Sequence, residues 1–281
     1  MNPIGILQGR LSPPVNGRLQ AFPVASWRAE FARAHEAGLA CIEWVYEQET
    51  ESENPLRTDA GVAEIRRLAS ETGVAVWSVC ADYYMTERLI SRGGVPQAKP
   101  MAHLAWLIGR IGSLQARYLV LPFVDASSLV SPREREALAT FLKTVAPAAE
   151  AAGVELHLET DLTPSEVVRL MEGLGEPSVR LTYDIGNSAA LGRDPAEELP
   201  AIQPWLGSVH VKDRLFHGQS VPLGSGAADF RRCFGFLHEA DFQGPLLLQA
   251  AREAGLSEVQ LAIRNRQFVE AHFAAAANRI A

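Results

Sequence analysis

The sequence is poor in cysteine and has no long apolar run. Its three cysteines, Cys41, Cys80 and Cys233, do not stand in a CxxC spacing, which argues against a disulfide framework and against a cysteine-based zinc site. No apolar stretch reaches the roughly 18 residues that a membrane span needs. The N-terminal segment also lacks the basic and apolar regions of a secretory signal. We therefore expect a cytoplasmic protein with reduced thiols and no membrane partner.

An excess of basic residues is lacking as well. The chain of 281 residues carries 26 Lys and Arg against 33 Asp and Glu, which gives a formal net charge of −7. An acidic chain repels the phosphate backbone of nucleic acids, so no nucleic-acid partner is expected. A small anionic substrate is still compatible with this balance, because a local pocket needs only one or two basic residues.

Short apolar runs rich in β-branched residues alternate with longer segments of helical period along the chain. The strands are predicted at residues 4–9, 41–46, 75–82, 118–124, 154–160, 179–186, 207–213 and 245–251. The helices are predicted at residues 26–37, 59–72, 100–112, 132–152, 164–171, 195–203, 229–240 and 257–275. Eight such alternations predict an α/β fold of the (β/α)8 TIM-barrel type, in a single domain over residues 1–281.

A doubly wound open sheet is the main alternative for this pattern. That fold would normally carry a GxGxxG fingerprint after an early strand, whereas the first strand here ends in Gln8-Gly9-Arg10. A barrel is therefore favoured. Its longest strand-to-helix connections, residues 48–57 and 83–99, are predicted to form a lid over the site.

Polar residues near the C-terminal ends of three consecutive strands form a candidate metal site. In a TIM barrel these ends surround the active site, and Glu159, Asp184 and His210 belong to the fifth, sixth and seventh strands. Each residue alone has an ordinary explanation as a helix cap or a packing residue. Their coincidence favours a metal site, and oxygen and imidazole ligands without thiolate suit Mn²⁺, Mg²⁺, Co²⁺ or Zn²⁺.

Further polar residues near the strand ends are candidate substrate contacts. These candidates are Gln8, Arg10, Glu43, Asp82, His157, Arg214 and Arg252. The three arginines either bind a phosphate or carboxylate group or form surface salt bridges. The glycines of residues 221–229, before the seventh helix, either bring backbone amides close to an anion or form a plain turn with Asp229 as helix cap.

The motifs LHLETDL, YDIGNSAALG and VHVKDR end three successive strands, and LQGRL and PLGSGAADF occur elsewhere in the chain. Together they resemble the xylose isomerase-like TIM-barrel superfamily, specifically its sugar-phosphate isomerase/epimerase branch. The resemblance implies one divalent ion, most often Mn²⁺, held by Glu159, Asp184 and His210. The fourth ligand of the 3-epimerases is a glutamate on strand eight, where this chain has Gln249. An amide oxygen still coordinates a metal, but an amide does not take or return a proton.

The chemistry that the resemblance implies is proton abstraction from a carbon next to a carbonyl, with the metal stabilising the enediolate. Glu159 is the predicted base, and Lys212 the predicted proton donor or oxyanion partner. With Gln249 in place of a second base, and Glu253 as a speculative replacement, one carboxylate suits an aldose–ketose isomerase better than a C3 epimerase. The predicted function is a metal-dependent isomerase or epimerase of a small sugar or sugar phosphate.

Two alternatives stay open at this stage. A lyase of the same superfamily, acting on an inosose or a dehydroshikimate-type substrate, would use the same metal and the same proton abstraction. A non-catalytic sugar-binding barrel would bind its ligand without turnover. The DNA-repair branch is disfavoured because its three-metal cluster needs many histidines, and the chain has seven. The apolar stripe of the C-terminal helix fits packing on the barrel or a contact in a homo-oligomer.

Overall fold

Eight parallel strands close into a barrel in the computed structural model, which describes residues 2–277. The barrel strands are β1 (Ile4–Leu7), β2 (Cys41–Val45), β3 (Ala75–Cys80), β4 (Tyr118–Phe123), β5 (Glu155–Thr160), β6 (Val179–Asp184), β7 (Leu206–Val211) and β10 (Leu246–Leu248). They follow one another around the ring in chain order, and β10 pairs with both β7 and β1. Between β7 and β10, the two-residue strands β8 (Asp213–Arg214) and β9 (Ser220–Val221) form a separate antiparallel pair. The predicted TIM barrel is confirmed.

Helices follow the barrel strands and cover the outside of the ring. Over residues 2–277 they are α1 (Trp27–Glu36), α2 (Asp59–Thr72), α3 (Tyr83–Thr86), α4 (Ala98–Leu114), α5 (Pro132–Ala151), α6 (Pro164–Leu174), α7 (Ile185–Ala190), α8 (Pro195–Ile202), α9 (Phe230–Glu239) and α10 (Glu258–Ala277). Single 3₁₀ turns occur at Glu51–Glu53, Pro55–Arg57, Asp125–Ser127 and Gln203–Trp205. Each predicted helix is matched by one of these, and the short helices α3 and α7 were not predicted.

Helix α7 begins inside the segment that the sequence pattern assigns to the sixth strand. Asp184 ends β6, and its Oδ1 accepts a hydrogen bond from the backbone N–H of Asn187 at 2.8 Å, so that Asp184 acts as the N-cap of α7. The predicted strand 179–186 therefore ends two residues early. This abrupt change of conformation places Asp184 and Asn187 together at the barrel mouth.

Local signals at the helix ends agree with the prediction. The Ser131 hydroxyl accepts from the backbone N–H of Glu134 at 3.2 Å, while the Glu134 carboxylate accepts from the backbone N–H of Ser131 at 2.9 Å. This reciprocal capping box starts α5. At the C-terminal end of α2, Gly73 takes the left-handed conformation with a φ of 71°, which turns the chain into β3.

The core lies on both sides of the barrel sheet. Every residue of β4 is buried, as expected for a parallel strand with helices on one side and the barrel interior on the other. The stripe of α10 is accounted for within the chain, because Ala262, Val269 and Phe273 are buried against the rest of the protein. Among residues 2–277, none of the helices has both the length and the apolar character that crossing a membrane requires.

Candidate active site

A cavity of about 330 Å³ opens at the C-terminal ends of the barrel strands. Its wall includes the predicted base Glu159, the predicted metal contact Gln249, and the side chains of Asp82, Asn187 and Lys212. These residues come from five different strand ends or the segments just after them, as is usual for the active face of this fold.

Glu159, Asp184 and His210 meet beside this cavity. One ligand atom from each lies within 4.8 Å of the others, and all three side chains are buried. The sheet register explains the meeting, because Asp184 of β6 pairs directly with His210 of β7 and Glu159 lies on the neighbouring strand β5. The structure therefore brings together the three residues that the strand-end pattern singles out.

A carboxylate outside the cavity holds the imidazole of His210. The Nε2–H of His210 donates to Glu43 Oε1 at 2.8 Å, and the Ser78 hydroxyl donates to Glu43 Oε2 at 2.8 Å. Because Nε2 carries the shared proton, Nδ1 presents its lone pair toward Glu159, whose Oε2 is 3.4 Å away. Glu43 was predicted to contact substrate, and this is corrected: its side chain is fully buried under His210.

The charge around His210 favours a cation. Burial lowers the pKa of the imidazole, but the negative charges of Glu43 and Glu159 outweigh it and raise that pKa well above its usual value. A metal ion is attracted by the same two carboxylates.

Asn187 connects the residues of this cluster. Its Nδ2 donates to Glu159 Oε1 at 2.8 Å, and its Oδ1 accepts from Lys212 Nζ at 3.2 Å. Lys212 Nζ also lies 3.4 Å from Asp184 Oδ2. Asn187 belongs to the quoted motif YDIGN, but no role was predicted for it. Only the capping turn at Asp184 shows that its side chain faces Glu159.

Arg214 supports Asn187 from behind. Its Nη1 donates to Asn187 Oδ1 at 2.9 Å, while its Nε and Nη2 both donate to the carbonyl oxygen of Gly218, at 3.0 and 2.9 Å. The predicted substrate contact does not agree with these bonds, because most of the guanidinium group is engaged inside the protein.

A chain of hydrogen bonds crosses the opposite wall of the cavity. Gln249 Nε2 donates to Gln20 Oε1 at 3.1 Å, and Gln20 Nε2 donates to Asp82 Oδ2 at 2.6 Å. The Cys80 thiol donates to Asp82 Oδ1 at 3.4 Å. Burial raises the pKa of Asp82 to about 6, and the charge of Glu159 adds to this. Gln20 lies in the connection after β1, whose irregular sequence gave no sign of a site.

The cluster fits a divalent cation. His210 Nδ1 and Gln249 Oε1 are buried acceptors without a hydrogen-bond partner among residues 2–277. Such unpaired acceptors are costly unless a cation or a water molecule satisfies them. With the carboxylates of Glu159 and Asp184 they make an oxygen and nitrogen donor set without thiolate, which suits Mn²⁺, Mg²⁺, Co²⁺ or Zn²⁺.

Two other predicted substrate contacts lie deeper in the barrel. His157 stacks on the ring of Tyr118, its Nδ1 is 2.9 Å from Ser208 Oγ, and its Nε2 is 2.9 Å from Glu155 Oε2. It shares the inward face with Glu159 but lies two residues earlier on the strand, one layer below the mouth. Gln8 is also buried, and its Oε1 accepts from the backbone N–H of Val45 at 3.0 Å. Neither position agrees with a predicted substrate contact.

Two guanidinium groups lie close together where β1 and β10 end. Arg252 Nη2 donates to the carbonyl oxygen of Gly9 at 2.6 Å, next to Arg10 in the chain. Burial and the repulsion of Arg252 lower the pKa of Arg10 to about 10. Nε and Nη1 of Arg10, and Nε of Arg252, have no hydrogen-bond partner in the part of the chain that the structure describes. Unpaired buried donors of this kind favour an anionic partner.

The glycine-rich segment 221–229 does not offer its amides to a ligand. The buried carboxylate of Asp213 accepts from the backbone N–H groups of Gly224, Gly226 and Ala228, at 2.9, 2.8 and 3.1 Å. The anion site considered for this segment is therefore wrong. The alternative is confirmed, since Asp229 caps α9 by accepting from the backbone N–H of Arg232 at 3.0 Å.

The two connections predicted as a lid form part of the cavity wall. Gln48 from the first, and Met85 and Thr86 from the second, line the cavity. The connections are bonded to each other, because Gln48 Nε2 donates to Glu87 Oε1 at 2.8 Å. The predicted replacement base Glu253 instead forms a salt bridge with Arg264.

Comparisons with known proteins define the family. The model of the xylose isomerase-like TIM barrel family matches residues 31–272, and the chain belongs to this family. L-ribulose-5-phosphate 3-epimerase UlaE from Shigella sonnei is 29% identical over 215 residues, which cover 73% of this chain and 75% of that protein. UlaE from Salmonella paratyphi A is also 29% identical, with coverage of 78% and 83%. These relatives confirm the predicted enzyme class, that of the sugar isomerases and epimerases.

Solved structures share the whole fold. The structure of an L-ribulose 3-epimerase superimposes with a TM-score of 0.77 at 19% identity, covering 100% of this chain and 97% of the other. A xylose isomerase-like TIM barrel protein from Mycobacterium smegmatis, in complex with magnesium, gives a TM-score of 0.68 at 17% identity and covers 98% and 97%. At these identities the likeness concerns the fold alone.

Proposed function

We propose that the protein is a divalent-metal-dependent epimerase of a small sugar or sugar phosphate, acting by proton transfer at a carbon next to a carbonyl. The observation that carries this proposal is the cluster of Glu159, Asp184 and His210, with the buried, unpaired Nδ1 of His210 facing Glu159 beside the cavity. The named relatives act as ketose-phosphate epimerases, which supports epimerisation over the aldose–ketose isomerisation suggested by Gln249 alone.

Glu159, Asp184, His210 and the amide oxygen of Gln249 would hold the ion, with Mn²⁺ as the proposed metal. When bound, a divalent ion supplies a positive charge that lowers the energy of the enediolate form of the substrate. The volume of about 330 Å³ lies at the lower end of the range of about 300–1,000 Å³ for small-molecule sites. It therefore suits a monosaccharide-sized ligand.

Glu159 is the proposed base. It lines the cavity, and Asn187 Nδ2 holds one of its carboxylate oxygens at 2.8 Å, which fixes the orientation of the group. Lys212 lies in the same wall and is the proposed partner of the oxyanion. The orphaned donors of Arg10 and Arg252 are the proposed contacts of an anionic substrate group.

A cytoplasmic setting is part of the proposal. It is supported by the chain's three thiols, which are all free and buried, as is typical of proteins in a reducing compartment.

The test combines metal exchange with product analysis. Protein stripped with a chelator and reloaded with Mn²⁺ is incubated with ketoses and ketose phosphates in D₂O, and the products are identified by NMR. We expect epimers labelled at the inverted carbon. Glu159→Gln should lower epimer formation by at least about 100-fold, whereas Asp125→Asn, a matched change in the same cavity wall, should not.

Full activity of the stripped protein, or of Glu159→Gln, contradicts the proposal. A product that has lost water identifies a lyase instead. Ligand-induced thermal stabilisation without any turnover on the whole panel would favour the non-catalytic sugar-binding barrel.

A further inference from the structure

Epimerisation places a geometric demand on the site, and this inference rests on the proposed function. The proton must leave one face of the carbon and another must arrive on the opposite face, so two proton-exchanging groups have to flank the substrate. Glu159 supplies one. Gln249 on β10 is an amide without a proton to exchange, and Glu253 is bound to Arg264. A second acid-base group therefore has to come from another strand.

The cavity wall narrows the choice among the carboxylates of the described residues. Glu47 is bound by Arg18 at 2.9 and 3.1 Å and by the backbone N–H of Phe22 at 2.9 Å, and it holds this corner of the wall together. Glu49 and Asp125 are exposed at the rim. Asp82 remains, because it is half-buried and reaches the cavity from the end of β3.

The position of Asp82 satisfies the demand for a group on the opposite side. In the closed ring of eight strands, β3 lies four places from β7 in either direction. Asp82 therefore faces the strand of His210 across the mouth, and a ligand between them has the metal cluster on one side and Asp82 on the other. The charge of Glu159 contributes to raising the pKa of Asp82, which shows that the two carboxylates sense each other across the cavity.

We propose that Asp82 is the second proton carrier of the reaction, serving the face of the carbon opposite to Glu159. In one direction, Glu159 takes the proton and the C–H electron pair moves into the carbonyl to give the enediolate. The protonated carboxyl of Asp82 then gives its proton to the other face, and the carbonyl re-forms. Afterwards Glu159 is protonated and Asp82 is ionised, so solvent returns the pair to its starting state. The reverse reaction exchanges the two roles.

The surroundings of Asp82 suit this task. Gln20 Nε2 and the Cys80 thiol each donate to a different oxygen, at 2.6 and 3.4 Å, which orients the carboxyl without a direct salt bridge. Gln20 is itself bound to Gln249, so the residue that replaces a base on β10 helps to position another. A pKa of about 6 keeps both the protonated and the ionised form available near neutral pH.

Isotope exchange in the Mn²⁺-loaded enzyme separates this role from a structural one. In D₂O, Asp82→Asn should lower epimer formation by at least about 100-fold while one epimer still exchanges its proton through Glu159. Glu159→Gln should show the mirror pattern, with exchange in the other epimer only. Asp125→Asn is the matched control and should behave like the wild type.

Two results would overturn the proposal. One is epimer formation by Asp82→Asn within about 10-fold of the wild type, and the other is loss of exchange from both epimers together in a variant that still binds Mn²⁺. If Asp82→Asn fails to fold, Asp82→Ser gives the same readout. A wild type that exchanges neither epimer of any substrate refutes the proposed function instead, so the two failures are distinguishable.

Discussion

The buried carboxylate of Glu43 provides a sharp test of how the metal cluster is built. Glu43 accepts from His210 Nε2 at 2.8 Å, and both side chains are fully buried, so neither water nor salt screens the contact. Partners of this kind typically contribute a factor of about 10–100 to metal affinity, or about 1.4–2.8 kcal/mol. Glu43→Gln keeps an acceptor for His210 but removes the charge, and we expect about 10-fold weaker Mn²⁺ binding.

Glu43→Ala removes the acceptor as well, and its larger effect follows from burial. The Nε2–H of His210 and the hydroxyl of Ser78 would both lose their partner in the barrel interior. We expect about 100-fold weaker Mn²⁺ binding and a free energy of unfolding of the metal-free protein lowered by about 3 kcal/mol.

Calorimetric titration with Mn²⁺ and urea unfolding measure the two effects of these variants. The matched control is Glu64→Gln, because Glu64 forms an exposed salt bridge with Arg28 and the same change there should alter neither quantity appreciably. If Glu43→Gln bound Mn²⁺ as tightly as the control, Glu43 would be a packing residue and the orientation of His210 would not depend on its charge.

Two further predictions concern the arginine pair and a buried acid. Arg252→Met removes one of the unpaired guanidinium groups and should lower kcat/KM for ketose phosphates at least about 10-fold more than for free ketoses; equal losses would refute an anion contact. Burial raises the pKa of Glu30 from 4.5 to about 7, although the backbone N–H of Gly9 donates to it at 3.0 Å. The folded state therefore holds this proton more tightly than the unfolded chain, and stability falls as pH rises through that interval. In urea unfolding, Glu30→Gln should remove about 3 kcal/mol of this loss, and unchanged pH slopes would contradict it.

The barrel is predictable because its evidence is local and repeated. Each strand–helix unit carries its own apolar run, cap and glycine, so errors at one boundary do not affect the others. The boundaries that fail are at strand ends, where Asp184 caps α7 at once and β10 stops at Leu248. There the chain serves the barrel mouth, and side-chain bonds outweigh the strand pattern.

The meeting of Glu159, Asp184 and His210 is predictable for a related reason, since neighbouring parallel strands align their C-terminal ends. Substrate contacts are harder, because the period of two tells which face a residue takes but not its depth. His157 and Glu159 share a face, yet one is packed on Tyr118 and the other lines the cavity. Gln20 shows the opposite limit: an irregular connection carries no period at all.

The net charge of −7 acquires a local meaning at this site. Glu43, Glu159 and Asp184 are three buried carboxylates around one imidazole, and Lys212 Nζ approaches them no closer than 3.4 Å from Asp184. Buried carboxylates in such number repel one another unless a positive charge is shared among them. A proton on His210 supplies one such charge, and a divalent ion against its Nδ1 supplies two. The same excess of acid that argues against nucleic acid as a partner therefore favours a metal ion at the centre of the barrel mouth, which in turn makes the site receptive to the oxygens of a small sugar.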